Sequence, residues 1–174
     1  MSRSELIDIV DDNDRVIGQA QRWEIRRDHL RHRSVYVLVF NPDGQLFVHR
    51  RTRSKDIYPD YWDVAIGGVV TAGEDYDSSA RRELQEELGI EQARLRRWFP
   101  MRYDDAENHV AGMVYSCTWA GRVRLQQSEI SSGEWTDLDV VLERTQHQPF
   151  CPDGLEALRL YLSRLATARE GRQR

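Results

Sequence analysis

The order of predicted elements supports an α+β fold, a mixed β-sheet with helices on both sides. Three observations carry that expectation. Residues 34–40 are almost all apolar or β-branched, as in a central strand buried on both faces. Residues 110–119 alternate, placing Ala111, Met113, Tyr115, Cys117 and Trp119 on one face. Apolar residues recur at helical spacing in two places: Ala80, Leu84 and Leu88, and then Leu155, Leu158, Leu162 and Leu165.

A chain of 174 residues is expected to form one domain, 1–174, with a core that needs no disulfide support. Its 25 basic and 29 acidic side chains leave a net charge of −4, which argues against a general nucleic-acid binder. Cys117 and Cys151 have no metal-ligand spacing and read as reduced thiols of a cytoplasmic protein. The first residues lack the apolar core of a signal peptide, and no run of about 18 apolar residues predicts a membrane span.

Taken in order, two apolar runs around Asp11, Asp12, Asn13 and Asp14 predict a β-hairpin, within an extension spanning 5–32. The acidic turn lacks the glycine and distal glutamate of a calcium loop and reads as a solvated turn. Residues 22–29 read as a short basic helix. The turn at 41–44 leads to a second strand at 45–50, followed by Arg50, Arg51 and Arg53. Those arginines fit an exposed loop as well as a phosphate contact, since guanidinium forks match phosphate oxygens. Tyr58, Tyr61 and Trp62 precede a strand at 63–66, where a tryptophan is core more often than a stacking platform. Residues 95–103 predict a strand kinked near Pro100, and 104–108 a polar turn. Cys117 is a small core residue. A short helix is expected at 137–143, a final helix at 153–166 and a frayed tail at 169–174.

The stretch 68–90 organises the rest. Asp75 is a plausible N-cap, and Gly89 stands where a left-handed residue ends a helix. Glu83, Glu86 and Glu87 share a face opposite the apolar stripe. Like charges at that spacing cost roughly 0.2–0.5 kcal/mol per pair, and alone they are an ordinary solvated face. A hard divalent cation reverses the sign, because carboxylate oxygens so spaced can converge on it.

The whole pattern is more specific. Gly68, Glu74, Arg82, Glu83, Glu86, Glu87 and Gly89, with apolar Leu84 and Ile90, fit the box of the Nudix hydrolases, Gly-x5-Glu-x7-Arg-Glu-U-x-Glu-Glu-x-Gly-U with U apolar. At ordinary residue usage a chance match at one register is on the order of 10⁻⁸ to 10⁻⁹. The resemblance implies a Nudix-type α/β/α sandwich and Mg²⁺- or Mn²⁺-dependent hydrolysis of a small diphosphate substrate, commonly nucleotide-derived. It further implies that Glu83, Glu86 and Glu87 bind metal with the carbonyl of Gly68, and that Arg82 and Glu74 brace the loop against the helix. Glu83 or Glu129 would be the base, with Glu134 a lesser candidate. Arg50, Arg51 and Trp62 are the expected substrate contacts, and homodimers are common in the family.

Beyond the box, the chain resembles the Nudix branch that includes type I isopentenyl diphosphate isomerase. The features are the hairpin before His32, the run Arg-Arg-Thr-Arg-Ser-Lys at 50–55, and Trp62 before the glycine step. Isomerase chemistry needs a cysteine at Gly67 and a metal histidine at Val69, and neither is present. His32 is then a structural remnant. A non-catalytic Nudix domain usually lacks a box carboxylate, and here none is lost. The expectation is a hydrolase.

Overall fold

The computed structural model describes residues 5–170. It begins with a hairpin of β1 (Leu6–Val10) and β2 (Val16–Gln21) and a short helix α1 (Arg22–Arg27). In the hairpin turn Asp11 Oδ1 accepts the backbone N–H groups of Asn13 and Arg15, so the acidic turn is capped from within. Strands β3 (His32–Phe40), β4 (Leu46–Arg51) and β5 (Trp62–Asp63) follow, then helix α2 (Tyr76–Leu88). The remainder comprises β6 (Arg96–Asp104), β7 (His109–Thr118), β8 (Ile130–Thr136), α3 (Leu138–Arg144) and α4 (Pro152–Glu170).

β3 is the axis of one mixed sheet. It runs parallel to β7 from His32↔Val110 to Phe40↔Thr118, and β7 pairs antiparallel with β6. On its other side β3 touches β1 only at Ile9↔His32 and β4 only at Phe40↔Leu46. β4 turns away to pair with β8 and β5. The glycine segment enters the gap this leaves. Val35 N–H donates to the Gly68 carbonyl at 3.0 Å, Val37 N–H to the Ile66 carbonyl at 2.7 Å, and Val70 N–H to the Arg33 carbonyl at 3.0 Å. The strand expected at 63–66 is therefore only two residues long, because the chain leaves β4 and crosses to β3.

Alternate residues of β3 enter opposite layers, as a strand covered on both faces requires. Val35, Val37 and Val39 pack with Ala80, Leu84 and Leu88 of α2. Tyr36 and Leu38 pack with Leu158 and Tyr161 of α4 and with Val141 of α3. Met113, Tyr115 and Cys117 of β7 face α2 as the alternation predicted, while Val110 and Val114 fill the α4 layer. The architecture is the expected α/β/α sandwich.

Two local expectations change. The irregularity in β6 lies between Arg97 and Phe99, where the register with β7 slips, and Pro100 pairs regularly with Met113. The last helix runs Pro152–Glu170, longer than 153–166, so residues 169–170 are helical, and the tail expected beyond them, 171–174, lies outside the described residues. No helix among the described residues is long and apolar enough to cross a membrane.

Candidate functional site

Helix α2 is fixed at both ends by the residues its sequence promised. Asp75 Oδ1 accepts from Ser78 N–H at 2.8 Å, and Gly89 adopts φ +67° with its N–H on the carbonyls of Gln85 and Leu84. Between them Arg82 reaches back to the glycine bend. Its Nε and Nη2 donate to Glu74 at 3.1 and 3.0 Å, and its Nη1 donates to Glu83 Oε1 at 2.8 Å. One guanidinium thus ties the loop to the helix.

The glutamate face is not the solvated surface that helical spacing alone describes. Glu83 is 0 % exposed and Glu87 3 %, one turn apart, whereas the Glu86 side chain is half-exposed. Glu83 Oε2 and Glu87 Oε2 have no hydrogen-bond partner among the described residues. Burial pushes the Glu83 carboxyl up to about 7, against the pull of Arg82. Burial, then the charge of Glu83, pushes Glu87 up to about 8, and Lys55 and Arg51 only partly offset this. Gly68 lies against Glu83: a Cβ there would stand 2.5 Å from Glu83 Oε1, so a larger residue would push that carboxylate aside. The Gly68 carbonyl already accepts from Val35 and retains a second lone pair.

Glu129 comes to the same place from the far end of the chain. The segment before β8 is tied to the end of α2, with Arg124 N–H on the Leu88 carbonyl and Gln126 N–H on that of Glu87. Thr52 N–H then holds the Glu129 carbonyl at 3.0 Å. The buried carboxylate of Glu129 contacts the ammonium of Lys55, whose charge also acts on Glu83 and Glu87. Lys55 sits in the sequence run at 50–55, but spacing gave no reason to pick it out. Glu134 is held elsewhere, its carboxylate on Arg144 Nη1 at 2.7 Å.

The predicted substrate contacts divide. Arg51 is partly buried, with Nη1 3.9 Å from Asp63 Oδ2, and its field acts on Glu87. It lines a recess of about 60 Å³ with Lys55, Gly67, Gly68, Asp63 and Asp153. Arg50 faces the other way along the strand and pairs with Asp60 at 2.9 Å. Trp62 packs in the α4 layer, with the guanidinium of Arg144 4.2 Å from its ring centre. Neither Arg50 nor Trp62 borders the recess, because residues on adjacent strand positions point to opposite faces.

Sequence reasoning missed the floor of that recess. Asp153 Oδ2 accepts from Tyr36 Oη and Asn108 Nδ2, both at 3.0 Å, and Asp63 Oδ1 accepts from Val64 and Ala65 N–H. Burial and the charge of Asp153 push Asp63 up to about 6. These residues come from four distant segments, and no spacing links them. His32 is buried, its Nδ1 3.0 Å from the Leu30 carbonyl, and burial pushes it down to about 3, so it is neutral.

Among the described residues no three histidine, cysteine or acidic side chains already surround one point. Arg82 Nη1 lies 2.8 Å from Glu83 Oε1 and 3.4 Å from Glu86 Oε2, and Lys55 holds Glu129. The donor set nonetheless fits a hard divalent ion, since two buried carboxylate oxygens lack partners and all donors are oxygen.

Buried carboxylates at a glycine bend beside a basic recess, on this sandwich, suit chemistry on a diphosphate held by a divalent ion. A family model described as NUDIX domain matches residues 30–158, and the chain belongs to the Nudix family. It is 46% identical over 161 residues to the Nudix hydrolase PA4841 of Pseudomonas aeruginosa, covering 92% of this chain and 95% of that one. It is 37% identical over 166 residues to the Nudix hydrolase YfcD of Escherichia coli (strain K12), covering 95% and 91%. Among solved structures, DR0079 from Deinococcus radiodurans aligns with a TM-score of 0.75 at 28% identity, over 90% of this chain and 99% of that one. A MutT protein from Methanosarcina mazei shares the fold with a TM-score of 0.65 at 22% identity, over 80% and 95%.

Proposed function

We propose that this chain hydrolyses the diphosphate bridge of a nucleoside diphosphate linked to another moiety, with Mg²⁺ or Mn²⁺ held by Glu83, Glu86 and Glu87 and the carbonyl of Gly68. The carrying observation is the pair of buried, unpartnered carboxylate oxygens on Glu83 and Glu87, which α2 holds one turn apart. Such a pair is costly to bury in charged form, and a cation received between its oxygens removes that cost. A divalent ion bound there supplies neutralisation of the phosphate oxygens and a lowered pKa for water.

The chain's own groups do the rest. Arg51 and Lys55 border the recess beside Gly68 and meet phosphate oxygens. Arg82 fixes Glu83 through Nη1 while Glu74 fixes Arg82, so the carboxylate keeps its direction. Glu129 takes the proton of the attacking water, because it borders the large cavity described below while Glu83 is fully enclosed. The isomerase alternative finds no support: a Cβ on residue 67 would stand 1.8 Å from the Val35 carbonyl oxygen, so this backbone has no room for the cysteine it needs. A purely binding role is disfavoured because every box carboxylate is present.

Phosphate release should be measured across nucleotide sugars, dinucleoside polyphosphates, oxidised nucleoside triphosphates and prenyl diphosphates, with and without Mg²⁺. Metal-dependent cleavage of at least one class is expected, reduced by about two orders of magnitude or more in Glu86→Gln and Glu87→Gln. No release from any class, or near-normal turnover in both variants, overturns the assignment.

A further inference from the structure

Helix α1 precedes residue 30, where the family match begins, so the Nudix resemblance assigns it no role. It nevertheless forms one wall of a cavity of about 580 Å³, lined by Arg22, Trp23 and Arg26 from the helix and by Lys55, Asp56 and Glu129 opposite. That volume lies in the range of small-molecule sites. The cavity shares Arg22, Arg26 and Lys55 with the recess at Gly67 and Gly68, so the two form one cleft running from the glycine bend to the indole. Asp56 joins the walls, with Oδ2 3.4 Å from both Arg22 Nε and Arg26 Nε. Trp23 is 44% exposed although it is among the largest apolar side chains. Its Nε1 donates to Gln21 at 3.1 Å, and Arg27 lies 4.8 Å from its ring centre, so the ring is oriented rather than loose.

We infer that α1 is the substrate-selecting element: Trp23 stacks on the nucleobase, and Arg22 and Arg26 hold the phosphate on the nucleoside side of the cleaved bridge. The indole lines only the larger cavity, the glycine bend only the recess, and the cations line both, which matches the order base, phosphate, phosphate along such a substrate. An aliphatic diphosphate has no ring for the indole. A flat π-face beside a phosphate-binding groove is the usual way proteins hold nucleotides without reading their sequence. The inference rests on the hydrolase assignment for which end of the substrate enters the recess.

The test is binding of two non-hydrolysable probes in Mg²⁺, measured by calorimetry: α,β-methylene-ADP, which carries a base, and methylenediphosphonate, which does not. Trp23→Ala and Trp23→Leu are expected to weaken the first about tenfold and leave the second unchanged, and Trp23→Phe to retain most of the affinity. Arg26→Ala is expected to weaken both. Trp23→Leu keeps the apolar bulk of the site, so a folding defect in Trp23→Ala does not decide the result. Equal affinities of wild type and Trp23→Leu for α,β-methylene-ADP, or equal losses for both probes, overturn the inference. Base-dependent binding in a protein that releases phosphate from nothing removes the hydrolase assignment and leaves the subsite standing.

Discussion

Glu87→Gln should make the metal-free protein more stable while disabling it. Glu87 is buried beside Glu83, one oxygen of each lacks a partner among the described residues, and the Glu87 carboxyl is pushed from 4.5 up to about 8. An acid whose folded pKa lies above its unfolded value binds more protons when folded, so stability falls with rising pH. It is fully present below about 4.5 and is lost as pH rises through 7 to 8, the values of Glu83 and Glu87. At 1.36 kcal/mol per pH decade the full rise amounts to several kcal/mol, and relaxation of the site leaves about 2–4 kcal/mol. Glutamine has nearly the same shape, carries no charge and brings a donor to a place where carboxylate oxygens lack one. For a chain of this size that gain corresponds to roughly 5–10 °C in Tm. Melting should be followed by circular dichroism in EDTA at pH 8 and at pH 4.5. The variant should melt higher at pH 8, and the difference should shrink at pH 4.5. Mg²⁺ should raise the wild-type Tm at pH 8 more than that of the variant. A variant that melts below wild type at pH 8 in EDTA, or by the same margin at both pH values, refutes the reasoning.

Other consequences follow from the same geometry. Lys55→Ala removes a positive charge that acts on Glu83 and Glu87, so Mn²⁺ should bind severalfold more tightly by electron paramagnetic resonance, and weaker binding would show that Lys55 supports the ion site. Gly67→Ala puts a Cβ 1.8 Å from the Val35 carbonyl oxygen and should cost about 2 kcal/mol or more in urea titrations, whereas an unchanged midpoint would show that the crossing strand can shift. Asp63 is an acid held up at about 6, so it contributes stability below about 4 that is lost as pH rises through 6. Asp63→Asn keeps the acceptor for Val64 and Ala65 N–H and should flatten that part of the stability profile, which acid titration of the melting curve would reveal.

Much of the site was legible because local chemistry wrote it. An N-cap at Asp75, a left-handed Gly89 and an apolar stripe at four-residue intervals are requirements of a single helix, and they appear in the sequence as they do in the fold. The Arg82 clamp spans only eight residues to Glu74. The run at 50–55 contains Lys55, but its place beside Glu129 depends on how the chain leaves β4 and on where the segment before β8 returns. Trp62 and Arg50 were chosen for their chemistry, and the strand's alternation turned them to the other face. Asp153, Tyr36 and Asn108 meet across separations no local pattern encodes.

The sequence alone determined the box and its helix, which follow from spacing and periodicity, and the resemblance that the box carries implied the family and the sandwich. Only the tertiary structure decided that two of the three glutamates on the box helix are enclosed, that the charge of Lys55 acts on both, and that α1 walls a cavity beside Lys55 and Glu129. The physical reason is that charge burial and cavity shape depend on which distant segments the sheet brings together. A side chain's type is fixed by the sequence, but the dielectric around it is not.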